Sequence, residues 1–206
     1  MNDSSGSSEA ISEALSEAEA RRELGGGLVI PAFLHEFHGR RSTRFDIALV
    51  YCAGALAAVC AVVLATRAGG SLSSSSVGFF VLIALLGVDI GGGVAANFTR
   101  GTSEYYAESS RRRFVFIALH ILQPLAFAWI FPYALLWIAC VCGGVLASTL
   151  AVNAVREYER QRTLAATLVL VLCGVIALAP IDDAALSFLV TLYALKLVLA
   201  FAVRWR

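Results

Sequence analysis

Residues 77–98 read VGFFVLIALLGVDIGGGVAANF, and Asp89 is the only ionisable side chain in this apolar run. About 20 apolar residues in a row are enough for a helix that crosses a membrane. Five more apolar stretches accompany this one, at residues 45–66, 114–130, 133–152, 164–179 and 184–203. The pattern predicts an all-α integral membrane bundle of six transmembrane helices, of which the third and fifth are the shortest.

Arginine marks alternate gaps between these stretches. It occurs before the first stretch and after the second, fourth and sixth, as Arg21, Arg22, Arg40, Arg41, Arg44, Arg100, Arg111, Arg112, Arg113, Arg156, Arg160, Arg162, Arg204 and Arg206. In the remaining gaps the only basic residue is Arg67. Because positively charged loops stay in the cytoplasm, this distribution predicts a multi-pass protein of the plasma membrane with both termini cytoplasmic.

The composition excludes several classes of protein. Of the 206 residues 59% are hydrophobic and 15% charged, unlike the residues of a soluble domain. The net charge of +1 provides no concentrated basic face for nucleic acid, so the lipid bilayer is the partner that the arginines predict. All five cysteines fall within apolar stretches, where small packing side chains are expected. The sequence identifies no cofactor.

The sequence divides into an N-terminal arm at residues 1–44 and a transmembrane domain at residues 45–206. The arm begins with Ser- and Gly-rich residues 1–8, for which we predict disorder. Strong helix formers at residues 9–24 predict a largely solvated helix, and the glycines at 25–27 end it and form a hinge. Such an arm is suited to recruiting a cytoplasmic partner.

A second, amphipathic segment of the arm follows the glycines. Its apolar residues have helical spacing: Ile30, Phe33, Leu34 and Phe37. Pro31 suits the first turn of a helix, so we expect a short helix that lies in the cytoplasmic membrane interface. An alternative interpretation makes His35, Glu36 and His38 a metal cluster, although no further ligands lie nearby in the sequence.

Three ionisable side chains fall inside the predicted spans: Asp89 in the second, His120 in the third and Lys196 in the sixth. Each is costly to place in hydrocarbon, so an intramembrane ionisable residue is a functional candidate. At a rise of about 1.5 Å per residue, the three lie at similar depth in the cytoplasmic half of the bilayer. This common layer is the sharpest functional signal in the sequence.

The second span also concentrates small residues around its acid. Gly87 and Gly91 form a Gly-x-x-x-Gly step, which allows two helices to approach closely. The consecutive glycines from Gly91 to Gly93 lower the cost of unwinding the helix beside Asp89. Asn97 lies at the border of the helix face that carries Asp89. One hypothesis is an ion or proton site beside a broken helix. The other is a packed central helix whose acid is neutralised by one partner.

In the third span, His120, Gln123 and Pro124 share one face. Pro124 has no backbone N–H, so the carbonyl of His120 is expected to need another donor. Lys196 in the sixth span has two alternatives: it extends toward the cytoplasm, or it pairs with Asp89, which would make the pair structural.

The run from Asp89 to Thr99, read with Tyr105-Tyr106 and with His120-x-x-Gln123-Pro124, resembles small prokaryotic six-span membrane proteins of unknown function. The resemblance covers the second and third spans. It implies that these two helices carry the function, and it implies no particular activity.

These features predict a small transporter or channel for protons, an ion or a small solute. The candidate site comprises Asp89, Gly91, Gly92, Gly93, Asn97, His120, Gln123 and Lys196. The alternative is a non-catalytic membrane scaffold or assembly partner. The chain has none of the nucleophile or metal motifs of a hydrolase, so an enzyme is not favoured. Six short helices form a closed bundle alone, or a pore as a homo-oligomer.

Overall fold

The computed structural model describes residues 27–67, 77–179 and 181–205, and it is almost entirely helical there. Six helices are long and apolar enough to cross a membrane: Arg44–Arg67, Val77–Phe98, Ser110–Ile130, Pro132–Ala154, Tyr158–Leu178 and Ala184–Phe201. They confirm the six predicted helices. The predicted disordered start, the helix at 9–24 and most of the glycine hinge lie outside the described residues.

The secondary structure contains nine α-helices within the described ranges. In chain order they are α1 (His35–His38), α2 (Arg44–Arg67), α3 (Val77–Phe98), α4 (Arg100–Ala107), α5 (Ser110–Leu119), α6 (Leu122–Ile130), α7 (Leu135–Ala154), α8 (Tyr158–Leu178) and α9 (Ala184–Ala194). Short 3-10 turns at Ala32–Leu34 and Pro132–Ala134 precede α1 and α7, and a π-helical segment, Leu195–Phe201, continues α9. The antiparallel strands β1 (Leu28–Val29) and β2 (Arg41–Ser42) pair within the arm.

The third and fifth spans are longer than the sequence predicts. They begin at Ser110 and Tyr158, so their first turns include charged residues that the hydropathy pattern leaves outside the helix. The hydroxyl of Ser109 accepts a hydrogen bond from the backbone N–H of Arg112 and thereby caps the third span. Such a cap stabilises a helix start that an apolar run alone does not predict.

The sixth span lies at the centre of the bundle. Over its most apolar 18 residues, 61% are buried, compared with 22–33% over the same length of the other five spans. Its side chains Leu186, Leu189 and Tyr193 are fully buried. Because the sixth span is surrounded by other helices, polar groups of several spans can contact it.

The first and second spans form a close antiparallel pair. A Cβ atom placed on Gly87 would lie 2.6 Å from the Cα of Ala58, and one on Gly91 would lie 2.3 Å from the Cβ of Ala57. Both glycines therefore allow the backbones to approach further than any larger residue would. The predicted Gly-x-x-x-Gly contact joins these two helices.

The arm folds against the end of the bundle that carries most of the arginines. Its helical segment follows Pro31 directly, as predicted, but ends after two turns at Gly39, whose φ of 67° suits glycine. Ile30 is buried before the helix begins, whereas Phe33 is 79% exposed. The hydroxyl of Thr102 on α4 donates to the carbonyl of Phe37 at 2.9 Å, which fastens the arm to the bundle.

Candidate functional site

Asp89 and Lys196 form an ion pair between the second and sixth spans. The ammonium Nζ of Lys196 lies 3.1 Å from Oδ1 and 3.2 Å from Oδ2 of the Asp89 carboxylate. It also donates to the backbone carbonyl of Asp89 at 3.2 Å. The Lys196 side chain is 3% exposed, whereas that of Asp89 is 40% exposed. The amine is therefore enclosed by protein, and the acid keeps access to the surroundings.

The backbone of the sixth span places Lys196 through a local π-helix. Within Leu195–Phe201 the helix is wider than an α-helix, and the N–H of Ala202 donates to the carbonyl of Leu197, five residues earlier, at 2.9 Å. The amide Nδ2 of Asn97 donates to the carbonyl of Lys196 at 3.4 Å. π-Helical turns are rare in proteins and are frequent at functional sites.

Gly93 makes room for the lysine stem. A Cβ atom at this position would lie 2.3 Å from Cε and 2.9 Å from Nζ of Lys196. The second span runs without interruption from Val77 to Phe98, so the break that the consecutive glycines predict is absent. Gly91 and Gly92 face the first span and do not line the site. Of the three glycines, only Gly93 contacts the ion pair.

Gln123 of the third span completes the contacts to the acid. Its amide Nε2 donates to Oδ2 of Asp89. Its carbonyl oxygen Oε1 is buried and has no hydrogen-bond partner among the described residues. A buried acceptor without a donor is unfavourable, so this oxygen is a local cost of the contact between Gln123 and Asp89.

His120 lies near the ion pair, but its hydrogen bonds among the described residues are to other groups than Asp89 and Lys196. Its Nδ1 bonds the carbonyl of Phe116 at 2.7 Å, and its ring packs against the Phe116 ring with the two planes tilted by 32°. The hydroxyl of Tyr193 donates to the His120 carbonyl at 3.1 Å, supplying the donor that Pro124 was predicted to make necessary. With Nδ1 directed at a carbonyl, the neutral ring has Nε2 as an acceptor.

A cavity of about 70 Å³ connects these groups. It is lined by Glu36, Phe37, Asp89, Gly93, Ala96, Asn97, Tyr106, Phe116, Leu119, His120 and Lys196. The three ionisable residues predicted to share one layer therefore line one space. The volume is sufficient for a few water molecules or a small ion, and it is far below that of an organic-ligand pocket.

The arm contributes part of this lining, which the sequence pattern did not predict. The hydroxyl of Tyr106 on α4 donates to the carbonyl of Glu36 at 3.3 Å and so holds α1 over the cavity. Burial raises the pKa of Tyr106, and the negative charge of Glu36 adds to the effect. The phenol consequently remains a neutral donor. Tyr106 and Glu36 were noted in the sequence for other reasons, and only the tertiary contact between arm and bundle assigns them to this cavity.

Arg113 is another buried charged residue. The sequence pattern placed it among the cytoplasmic loop arginines and did not predict its burial. It is 4% exposed, and its guanidinium donates to the carbonyls of Phe201 and Ala202 at 3.0 and 2.8 Å. Its Nε donates to Oδ1 of Asn153 at 2.7 Å. Arg113 thereby satisfies the last carbonyl of the π-helical segment that carries Lys196 and the carbonyl that follows it.

Within the described residues, no group of three or more His, Cys, Asp or Glu side chains is placed to hold a metal ion. The alternative metal cluster at His35, Glu36 and His38 is therefore not formed. His35 Nε2 instead bonds the carbonyl of Ile30 at 2.8 Å.

No protein-family model, curated protein or solved structure matches this chain. The resemblance noted in the second and third spans thus stays a prediction, and the geometry of the site is the basis for a functional assignment.

Proposed function

We propose that the protein is a membrane carrier for protons or a small inorganic ion, with Asp89 as the group whose charge changes during transport. The observation that carries the proposal is the shared cavity, which is lined by Asp89, His120 and Lys196 from three spans. The exposure of Asp89 at 40% leaves the carboxylate accessible although its amine partner is enclosed.

The contacts support an exchange of partners at the acid. Lys196 neutralises Asp89 in the present arrangement, and protonation or an incoming cation would replace that interaction. The neutral His120 ring has Nε2 as an acceptor, and the residue lines the same cavity as the acid. The cavity volume of about 70 Å³ favours a proton or small ion over an organic solute.

A carrier fits better than an open channel. On the side of the cavity away from the arginine-rich end, the second, third and sixth spans present fully buried apolar side chains, including Ile83, Phe127, Leu186 and Leu189. A charged ion cannot cross such an apolar layer without a large desolvation cost. Transport would therefore require a second conformation that opens this layer, as in alternating access.

The second candidate function is a membrane scaffold, and the direct contact between Asp89 and Lys196 favours it. A carboxylate and an ammonium 3.1 Å apart satisfy each other, as expected of a pair that only joins two helices. The close pairing of the first and second spans through Gly87 and Gly91 is likewise structural. In this function the arm would recruit a cytoplasmic partner, and exposed helix faces would bind other helices or a second copy.

Flux in proteoliposomes separates the two functions. The purified protein is reconstituted with a pH-sensitive dye inside the vesicles, and a pH or ion gradient is imposed. We expect a flux that Asp89→Asn abolishes. Since Asp89→Asn leaves Lys196 charged and buried, the double variant Asp89→Asn/Lys196→Gln serves as the folded control, because it removes both charges together.

The outcomes are distinct. Loss of flux in a double variant that elutes and unfolds as the wild type supports transport. Absence of flux in the wild type under proton, Na⁺ and K⁺ gradients contradicts transport and leaves the scaffold. A double variant with wild-type flux would also contradict the role of Asp89.

We also propose that both termini face the cytoplasm and that the protein resides in the plasma membrane, because arginine concentrates at one end of the bundle. We expect a reporter that works only in the cytoplasm to be active when it is fused after Arg206, and a reporter that works only outside to be inactive there. A signal on the outer side would contradict this orientation.

A further inference from the structure

His38, the last residue of α1, is buried where the arm meets the bundle. It is 3% exposed, and its ring packs against the ring of Tyr51 on α2, with the two centroids 5.6 Å apart. Its ring nitrogen Nδ1 is buried and has no hydrogen-bond partner among the described residues. The other histidine of the arm, His35, bonds the carbonyl of Ile30. The docked arm therefore encloses one imidazole without satisfying it.

The contact that encloses His38 is a close approach of the arm backbone to α4. A Cβ atom on Gly101 would lie 2.7 Å from the carbonyl oxygen of His38, so only glycine allows this approach. The hydroxyls of Thr102 and Tyr106, on the same helix, donate to two carbonyls of α1. These contacts are all made by neutral groups. A charge that appeared on His38 would therefore be buried among groups that do not compensate it.

Within the described ranges, the elements around His38 offer it no acid. A protonated imidazole has N–H donors on both nitrogens and would need an acceptor for the second. Glu36, on α1 itself, instead lines the cavity at Asp89. Arg40 and Arg41 follow His38 within three residues and would oppose a further positive charge. The carboxylates of the neighbouring elements are bonded to other groups: Asp46 to Thr43, Asp89 to Lys196, Glu104 to Arg100, and Glu108 to Arg40 and Arg112.

This burial makes docking of the arm depend on pH. Burial lowers the pKa of His38 below its ordinary value of 6.5. In a released arm the ring is in water and titrates near that ordinary value, so the released state binds a proton more tightly than the docked state. Docking is therefore at full strength above about pH 6.5. As the pH falls below this value, the docking equilibrium weakens by up to about tenfold per pH unit.

The same arm closes one side of the cavity at Asp89. Glu36 and Phe37, which immediately precede His38, line that cavity. Phe37 is also the residue whose carbonyl is held by Thr102. Withdrawal of α1 would remove this wall and expose the cavity at the arginine-rich end of the bundle.

We propose that the arm is a pH-sensitive lid: protonation of His38 releases the arm from α4 and opens the cavity at Asp89. An apolar ring at this position would fill the same space without a buried, unpaired nitrogen, so the imidazole costs stability in the docked state. Release of the arm is independent of the proposed transport function, whereas its effect on ion access to Asp89 rests on that function.

Hydrogen–deuterium exchange of the purified full-length protein in neutral detergent tests the release. Exchange is followed between about pH 7.5 and pH 5, with labelling times scaled for the pH dependence of the intrinsic rate. We expect protection of residues 28–42 to fall by up to about tenfold per pH unit below about pH 6.5. Protection of residues 77–98 should stay constant. A parallel loss there would show that the whole bundle unfolds and would overturn the proposal.

Three variants identify the group responsible. His38→Phe keeps an aromatic ring against Tyr51 and cannot be protonated, so its arm should stay protected at acid pH. Gly101→Val places a side chain against the carbonyl of His38, so its arm should be unprotected even at pH 7.5. His35→Gln is the matched control, because it removes the other imidazole of the arm and should keep the wild-type pH dependence.

Each remaining outcome decides against the lid. A wild type without pH dependence, or a His38→Phe protein that keeps it, would overturn the role of His38. If the arm were unprotected at neutral pH in both His38→Phe and the smaller His38→Leu, docking would require the imidazole, which also contradicts the proposal.

Flux in the liposome assay tests the consequence for the cavity. Wild-type flux should rise at acid pH on the arginine-rich side, His38→Phe should lack this rise, and Gly101→Val should reach the acid rate at neutral pH. Released arms without any change in flux would contradict the role of the arm as a lid. If the wild type shows no flux at all, the proposed transport function fails, while release of the arm is still decided by the exchange measurement.

Discussion

The second span has two faces with different contacts. One face, with Gly87 and Gly91, lies against the first span and contains no polar side-chain contact in the described structure. The other face, with Asp89, Gly93 and Asn97, lies toward the sixth span and binds Lys196. Both use small residues, but for different reasons. On the first face glycine lets two backbones approach, and on the second it leaves space for one side chain.

The difference teaches that a cluster of glycines in an apolar helix does not have one meaning. A Cβ at Gly87 would collide with the backbone of Ala58, which cannot move without separating the helices. A Cβ at Gly93 would collide with Cε of Lys196, which belongs to a flexible side chain. The first face should therefore control the stability of the bundle, and the second its chemistry.

The largest effect is expected from removing the acid alone. Asp89→Asn leaves the ammonium of Lys196, which is 3% exposed, without its partner, and should reduce the free energy of unfolding by about 3–5 kcal/mol. Lys196→Met should cost less, because the carboxylate left behind is 40% exposed. Equilibrium unfolding in mixed micelles measures both. Equal losses would show that the difference in burial does not matter.

The next effect tests the apolar face. Gly87→Ala should destabilise the protein by about 1–3 kcal/mol, because the new Cβ would lie 2.6 Å from the Cα of Ala58. Gly174→Ala is the matched control, since a Cβ at this helical glycine would meet no atom within 4 Å. The control should be neutral or slightly stabilising. A stable Gly87→Ala protein would contradict close packing between the first two spans.

A smaller loss of stability is expected at the polar face. Gly93→Ala should cost about 1 kcal/mol, because the lysine stem can shift away from the new methyl group. The same shift displaces Nζ from the carboxylate, so flux in the liposome assay should fall more than stability does. If Gly93→Ala destabilised the bundle more than Gly87→Ala, the two faces would not differ as proposed.

The smallest effect is expected at Asn97. Its amide makes one hydrogen bond, of 3.4 Å, to the carbonyl of Lys196, so Asn97→Ala should cost about 0.5–1 kcal/mol. Asn153→Ala is the comparison, because Asn153 accepts a charged hydrogen bond of 2.7 Å from buried Arg113. The Asn153 variant should lose more. A larger loss of stability in Asn97→Ala than in Asn153→Ala would show that Asn97 contributes more to the stability of the π-helical segment.

Much of the fold was predictable because the relevant signals are local. An apolar run such as residues 77–98 predicts a spanning helix by its own length and composition. The start of the third span was not predictable to the residue, since its first turn includes buried Arg113, whose side chain is satisfied by carbonyls of the sixth span. That compensation comes from a residue 88 positions away.

The candidate site was predictable in its members and less so in its contacts. Asp89, His120 and Lys196 were singled out because charges in hydrocarbon are costly, and their similar depth followed from helix geometry. The role of Gly91 and Gly92 was not predictable, because which face of a helix meets which neighbour depends on how the other spans pack. The same holds for Glu36 and Tyr106, which reach the cavity only through the docked arm.

By itself, the sequence determined that six helices form, how they alternate in direction and which ionisable residues lie within them. These properties follow from hydropathy and helix rise, which act along the chain. Only the tertiary structure decided that Lys196 pairs with Asp89, that the sixth span becomes π-helical at this point, and that the arm lines the cavity. Each of these depends on partners far apart in sequence, whose meeting is set by side-chain packing between helices.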